Sequence, residues 1–191
     1  MTTSENRKRK GYTLAEILIV VAIIAVLVAI AIPIFTTILE SSREAYDIAT
    51  MRQAANAAIE LYYSGVTDES SATAAGLKWW PNNGNDANAA GVYDPVKGTF
   101  LPIRSNDNQA KKMAYGKGTK INGGTSFTLG NDRGAYAPNE DYTKAVVMIA
   151  IYPIGNNKRV EIYWKGTDDG KYIGGQVQAN DPRYSIRISL Q

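Results

Sequence analysis

The two side chains that carry much of enzyme chemistry are missing from this sequence, which has no histidine and no cysteine. Ser-His-Asp and Cys-His nucleophiles, thiolate metal sites and the usual zinc ligand sets therefore have no residues to form them. Disulfide bonds are excluded for the same reason. An enzyme that uses carboxylates alone, or a Ser-Lys pair, stays open. We predict that the chain is not an enzyme, has no catalytic residues and uses no cofactor.

A group of carboxylates near the C-terminus is the remaining candidate for metal chemistry. Asp168 and Asp169 stand directly before Gly170, and Asp181 follows in the same region. Calcium loops supply oxygen ligands at regular spacings, and the spacing of these three aspartates matches no such loop. We predict a turn at this position and no metal site.

A cluster of cations, a glycine and a carboxylate follow one another closely at the N-terminus. Residues 7–10 are Arg-Lys-Arg-Lys, the next residue is Gly11, and Glu16 stands five positions beyond it. Residues 1–11 hold four of the 21 basic side chains and one of the 18 acidic ones, so the remaining chain has 17 of each. The basic character belongs to this segment alone, and we predict no specific nucleic-acid site.

The element that follows these residues is an uncharged apolar segment. Ile17 to Ile32 contains 12 Ile, Leu or Val residues and four alanines, and the apolar character continues through Phe35. On the membrane-insertion scale the large aliphatic residues contribute roughly −4 to −7 kcal/mol, more than the cost of about 3 kcal/mol for one carboxylate. The segment therefore inserts even with Glu16 at its edge. The preceding cations keep the N-terminus in the cytoplasm.

Three simpler interpretations of this segment stay open. The first is an ordinary secretory signal peptide cleaved after Ala31, the second is an uncleaved membrane anchor, and the third is a helix buried in a core. Two features argue against ordinary signal cleavage: a polar stretch from Gly11 to Glu16 separates the basic and apolar parts, and Pro33 would lie almost at the cleaved bond. The flanking charges argue against a buried helix.

The order of these features resembles the class III signal of type IV pilins. In that family a short basic leader ends in glycine, a glutamate stands five residues beyond it, and an apolar helix follows that often carries a proline. Gly11, Glu16 and Pro33 stand at the matching offsets here. The resemblance covers about the first 50 residues. Tyr12 departs from the pattern, because phenylalanine is the usual first mature residue, but it preserves an aromatic ring.

The resemblance implies a processing and assembly sequence. A prepilin peptidase would cut between Gly11 and Tyr12 and methylate the new amino group of Tyr12. That amine stays mostly cationic near neutral pH, and the family mechanism pairs it with Glu16 of a neighbouring subunit. Pairing would offset the cost of a carboxylate in an apolar filament core. An alternative for Glu16 is a carboxylate that simply reaches the membrane interface.

The resemblance also implies partners, location and function. The expected partners are lipid before assembly, the prepilin peptidase, an inner-membrane assembly platform and further copies of this chain in a helical filament. The precursor would lie in the inner or cytoplasmic membrane and the mature chain in an extracellular pilus used in adhesion, motility or DNA uptake. A type II secretion or competence pseudopilin is the alternative within the family. A soluble binding protein, secreted by ordinary signal cleavage, is the alternative outside it.

The sequence after Pro33 predicts that the helix continues as an amphipathic segment. Apolar residues recur at steps of three or four up to Tyr63, and Gly65 provides a C-terminal stop. The predicted buried stripe consists of Ile38, Ala45, Ile48, Ala55, Ile59 and Tyr62. A helix over 12–63 would be roughly 78 Å long, more than twice the thickness of the hydrocarbon core of a bilayer. Its second half is therefore predicted to pack on a folded domain.

The rest of the chain predicts a connecting region and then a sheet. Residues 65–143 are rich in Gly and Asn, with turns at residues 82–84 and 123–124. Trp79 and Trp80 within it either stack on a ligand or fix a loop to the core, and we favour the core. Strands are expected at 145–152, 160–165, 171–177 and 184–190.

The predicted fold class is α+β, a long N-terminal helix packed on a small antiparallel sheet of three or four strands, as in type IV pilins. The predicted segments are a leader (1–11), a transmembrane or filament-core helix (12–35), an amphipathic continuation (36–64), a connecting region (65–143) and the sheet (144–191).

Overall fold

The computed structural model describes residues 11–81, 87–125, 127 and 134–191. The chain divides into two compact units, Met1–Thr36 and Thr37–Gln191. The described helices are α1 (Leu14–Tyr63), α2 (Glu69–Ala74) and α3 (Asn108–Lys112). The described strands are β1 (Lys78–Trp80), β2 (Asn88–Asp94), β3 (Thr99–Leu101), β4 (Ala145–Tyr152), β5 (Arg159–Gly166), β6 (Gln176–Gln178), β7 (Asp181–Pro182) and β8 (Ile186–Ser189).

Helix α1 ends where the sequence predicted. Gly65 adopts the left-handed conformation with φ of 101°, which glycine reaches without a steric penalty. Its N–H donates to the Tyr62 carbonyl at 3.0 Å, and the Val66 N–H donates to the Leu61 carbonyl at 3.2 Å. These two bonds form a Schellman motif, which satisfies the last carbonyls of the helix.

The main sheet has six antiparallel strands, more than the three or four expected. Its order is β1-β2-β4-β5-β8, and β3 pairs with β2 beside this path. Strands β1 to β3 lie within the interval that we had interpreted as connecting loops. In β2 the alternation of apolar and polar residues is hard to recognise, because five of its seven residues are Asn, Asp, Gly or Ala. All seven are nevertheless buried.

The C-terminal hairpin is confirmed, and one predicted strand is wrong. β4 and β5 pair over their full length, from Ala145 opposite Gly166 to Tyr152 opposite Arg159. The last strand, expected at 184–190, is β8, and it pairs with β5. Residues 171–177, however, do not form a strand of this sheet. Tyr172 makes a single bridge to Lys165, and the chain then turns at Gly174 and Gly175 toward the separate β6–β7 pair.

The second half of α1 packs on one face of the sheet and shares a core with it. Met51, Ala54 and Ala58 on the helix are fully buried in the same cluster as Ile149 and Ile162 on β4 and β5. Trp79 and Trp80 pack against the edge of the same core, as we favoured.

The predicted buried stripe of α1 is partly wrong. Ile48 and Ala55 are buried and Ile59 and Tyr62 are half-buried, but Ile38 and Ala45 are exposed. The buried positions of the first two turns after Thr37 are instead carboxylates, which are described below. These carboxylates can be buried because backbone N–H groups of residues 117–125 donate hydrogen bonds to them. The helical period of the sequence does not reveal partners so far along the chain.

Candidate processing and assembly site

Gly11 and Tyr12 lie exposed at the start of the described chain, before α1 begins at Leu14. A Cβ built on Gly11 meets no atom within 4 Å, and its backbone is not left-handed. A side chain at position 11 would therefore cost this fold nothing. Any requirement for glycine here comes from a partner. The predicted basic cluster at 7–10 lies outside the described residues.

Glu16 lies in the first turn of α1 and forms a capping box with Thr13. Its Oε2 accepts hydrogen bonds from the Thr13 N–H at 2.8 Å and from the Thr13 hydroxyl at 2.9 Å. The Thr13 Oγ1 accepts in turn from the Glu16 N–H at 3.2 Å. Thr-x-x-Glu before an apolar run is the sequence signal for this motif. The roles predicted for Glu16, in assembly or at the membrane interface, did not include this cap.

The apolar part of α1 is exposed in the part of the chain that the structure describes. Every described residue from 11 to 39 is exposed, and large aliphatic side chains such as Ile17 (50%) and Ile30 (59%) present about half of their surface. Such a continuous apolar surface is far larger than a soluble monomer tolerates. The helix is long and apolar enough to cross a membrane. Lipid or other protein chains must cover it.

Pro33 lies inside α1, and the helix continues on both sides of it. Proline has no N–H and so cannot donate to the carbonyl four residues earlier. The Pro33 carbonyl accepts a hydrogen bond from the Thr36 hydroxyl at 2.9 Å. Helix α1 is not interrupted at Pro33.

Three carboxylates on one face of α1 form a site that sequence reasoning missed. Glu40, Glu44 and Asp47 are spaced by four and three residues, and all are at most 1% exposed. They face residues 117–125, a segment without regular secondary structure, and accept its backbone N–H groups. We call this arrangement the carboxylate clasp.

The clasp consists of a row of hydrogen bonds to the main chain. Asp47 accepts from the Lys117 N–H at 2.8 Å and the Gly118 N–H at 2.7 Å. Glu44 accepts from the N–H groups of Gly123 at 3.0 Å and Thr125 at 3.2 Å, and Glu40 accepts from the Thr119 N–H. Carboxylates deprived of water are costly unless they accept several hydrogen bonds. The N–H groups of this segment meet that need and gain partners of their own.

Two glycines let the segment approach the clasp. A Cβ on Gly118 would lie 2.1 Å from the Tyr136 hydroxyl oxygen, and one on Gly123 would lie 2.4 Å from the Ser41 backbone nitrogen. A side chain at position 118 would displace the Tyr136 ring, and one at position 123 would displace the backbone of α1 at Ser41. The glycines that we interpreted as loop chemistry are thus required at these points by close packing against α1.

The pKa of Asp47 in the clasp is displaced upward. Burial raises the pKa of its carboxyl to about 6, although hydrogen bonds from Gly118, Lys117 and Tyr136 and the charge of Lys117 act in the opposite direction. The same burial, together with the Asp47 charge, raises the pKa of Tyr136. Relative to the unfolded chain, the folded chain therefore binds the proton of Asp47 more tightly.

We expect this pKa to make the folded domain more stable at pH 5 than at pH 7. An unfolded aspartate loses its proton near pH 4, so between about pH 4 and 6 only the folded state holds that proton. This contribution falls as the pH rises through the window, by at most about 3 kcal/mol for two pKa units. Urea unfolding between pH 4.5 and 7, followed by tryptophan fluorescence, measures it.

The matched variants for this experiment are Asp47→Asn and Asp141→Asn. Asp47→Asn should flatten the pH dependence, because the amide does not titrate. Asp141→Asn should leave it unchanged, because hydrogen bonds from Thr143 hold the pKa of Asp141 below the window. An unchanged slope in Asp47→Asn would show that another group causes the pH dependence.

The aspartates considered for calcium have separate partners. Asp168 pairs with Lys144 at 3.0 Å, Asp169 accepts from the Lys171 N–H at 3.0 Å within the turn, and Asp181 pairs with Arg187. The described residues contain no cluster of metal-ligating side chains. The turn at Gly170, with φ of 68°, agrees with the interpretation that we favoured.

Comparison with known families adds one finding at the N-terminus. The model of the prokaryotic N-terminal methylation motif matches residues 6–32, the segment that holds Gly11, Tyr12 and Glu16. The chain carries a class III prepilin signal. It is type IV pilin-like in this segment and in its architecture of a long helix packed on an antiparallel sheet. No curated protein and no solved structure matches the chain.

The prepilin signal supports a precursor that is like those of type IV pilins or pseudopilins. Such a signal implies processing by a prepilin peptidase and assembly into a filament in general. Together with the uncovered apolar helix, it fits a precursor that is anchored in a membrane.

Proposed function

We propose that this chain is a structural subunit of a type IV pilus-like extracellular filament, used in adhesion, motility or DNA uptake, and that it is not an enzyme. The observation that carries the proposal is the methylation motif at 6–32, since it coincides with an apolar helix that is exposed among the described residues. In the precursor, lipid covers this surface. In the filament, the same surfaces of neighbouring copies cover one another.

The processing chemistry follows from the residues at the start of α1. Cleavage between Gly11 and Tyr12 frees an amine that is then methylated and stays cationic near neutral pH. The Glu16 Oε2 is held by Thr13, and a carboxylate has further acceptor positions. The Tyr12 amine of an incoming subunit can therefore pair with Glu16 without breaking the helix cap.

Pro33 has a different role in this proposal. Because Pro33 has no N–H, the carbonyl four residues earlier lacks its usual hydrogen bond within the helix. Helix α1 is therefore easier to unwind or bend at this point. Neighbouring helices in a packed filament can compensate for that loss. Pro33 thereby lets α1 adapt to packing that is tighter than in lipid.

The experiment that tests the function is immunogold electron microscopy of cells that express the chain with an epitope at its C-terminal end. We expect label along filaments that extend well beyond the cell surface and that disappear when the gene is deleted. Short fibres confined to the envelope would instead identify the secretion or competence pseudopilin. Label found only on free soluble protein would contradict filament assembly altogether.

A further inference from the structure

The sheet face turned away from α1 contains a cleft of about 420 Å³. Its floor includes Met148 on β4 and Tyr163 and Lys165 on β5, and Trp80 on β1 lies at its edge. Arg104 to Asn106 form one wall, and residues 169–172 form another. All of these residues belong to the unit Thr37–Gln191. A volume of this size is typical of small-molecule sites.

Aromatic rings in the cleft hold its cations. The Arg104 guanidinium carbon lies 4.8 Å from the centre of the Trp80 ring, and the Lys165 ammonium lies 4.2 Å from the centre of the Tyr172 ring. Tyr172 in turn contacts Tyr163 edge to face, with ring centres 5.1 Å apart. Cation–π contacts orient a charged group without neutralising it. The charges of Arg104 and Lys165 thus remain available to a ligand.

Neither cation has a carboxylate partner in the part of the chain that the structure describes. Asp169, the carboxylate that lines the cleft, pairs instead with Lys171 at 3.4 Å. The other described ion pairs also do not include Arg104 or Lys165. Burial, and the charge of the nearby Arg104, lower the pKa of Lys165. Two like charges held in one cleft repel each other, and an anion placed between them would relieve that repulsion.

The neutral polar groups around the two cations suit a ligand rich in hydroxyls. Asn106 and Asn180 present side-chain amides at the rim, and Ser105 presents a hydroxyl that is almost fully buried. Amides and hydroxyls both donate and accept hydrogen bonds, as sugar hydroxyls require. The Arg104 guanidinium, which lies over the Trp80 indole ring, carries paired N–H donors that match the geometry of a carboxylate.

We propose that this cleft binds an acidic saccharide, with the sugar carboxylate between Arg104 and Lys165 and the ring hydroxyls on the asparagines and Ser105. A single-stranded nucleic acid fits the observations less well. Such polymers are bound along extended basic grooves, whereas this cleft is bounded and residues 12–191 carry equal numbers of basic and acidic side chains. The binding does not depend on filament assembly.

The test is a titration of the full chain in detergent micelles with glucuronic acid and N-acetylneuraminic acid, followed by tryptophan fluorescence. The methyl ester of each sugar is the matched ligand without charge. We expect saturable binding of at least one acid, and binding of its ester weaker by at least about tenfold, as for loss of a charged hydrogen bond. Equal binding of acid and ester, or no binding of either acid up to millimolar concentration, would overturn the proposal.

Variants locate the site. Arg104→Ala and Lys165→Met should each weaken binding of the acid by at least about tenfold, whereas Lys112→Ala, an exposed cation outside the cleft, should not change it. Circular dichroism checks that each variant is folded, and the acid-to-ester comparison in the unaltered chain stands without them. Stronger binding of a single-stranded oligonucleotide, with steep salt dependence, or of inorganic phosphate would refute the assignment to an acidic sugar.

Discussion

A Gly11→Val chain is expected to accumulate in the membrane as the full-length precursor, with almost none of it cleaved. A prepilin peptidase must take the chain around Gly11 into its site in an extended form, and a β-branched side chain there would obstruct close approach of the backbone. The measurement is the fraction of chain with the precursor mass after expression together with the peptidase. Membrane insertion should be normal, since the apolar segment is unchanged.

The fold gives this experiment its control. A side chain at position 11 meets no atom within 4 Å, so Gly11→Val does not disturb the folded domain, and its urea-unfolding midpoint should equal that of the unaltered chain. Gly11→Ala, with the smallest added side chain, should be cleaved to an intermediate extent. Full cleavage of the valine variant would rule out a peptidase that requires glycine.

Glu16→Ala is expected to be processed normally and to assemble poorly. The variant retains the apolar helix but loses the carboxylate that we propose to pair with the Tyr12 amine of the next subunit. Removing one partner of a buried charge pair costs about 3–5 kcal/mol, so the yield of filaments in sheared surface material should fall by at least about tenfold. Quantitative immunoblots of the sheared and cell-bound fractions measure this ratio.

Two further variants separate the charge of Glu16 from its role as a helix cap. Glu16→Gln removes the charge but leaves an acceptor for Thr13, since glutamine also serves in a capping box. Thr13→Val preserves the charge and removes the hydroxyl that bonds Glu16. We expect Glu16→Gln to assemble as poorly as Glu16→Ala, and Thr13→Val to assemble nearly normally. The reverse pattern would assign the effect to helix capping and contradict charge pairing.

The sequence predicts the elements whose signals are local. Helix α1 follows from an unbroken apolar run and a helix-forming continuation, and its end follows from Gly65 just past the pattern. The β4–β5 hairpin follows from an apolar run, a turn and an alternating strand. Each of these signals lies within a few residues of the structure that it specifies.

The features that were missed depend on contacts between distant parts of the chain. Glu40 and Asp47 look like ordinary charged residues of an exposed helix face, and only the segment about 70–80 residues later supplies the N–H groups that allow their burial. Strand β2 was missed because its small and polar residues are buried by their neighbours β1, β3 and β4, and not by hydrophobicity of its own. The cleft likewise joins side chains from β1, β5 and two loops.

The residue at which the mature chain begins is the most direct test of prepilin processing and filament assembly. Intact and N-terminal fragment masses of protein from sheared surface filaments identify that residue. We expect a chain that starts at Tyr12 and carries one additional methyl group. A chain that starts at Ile32, or an uncleaved chain within the filaments, would contradict this expectation.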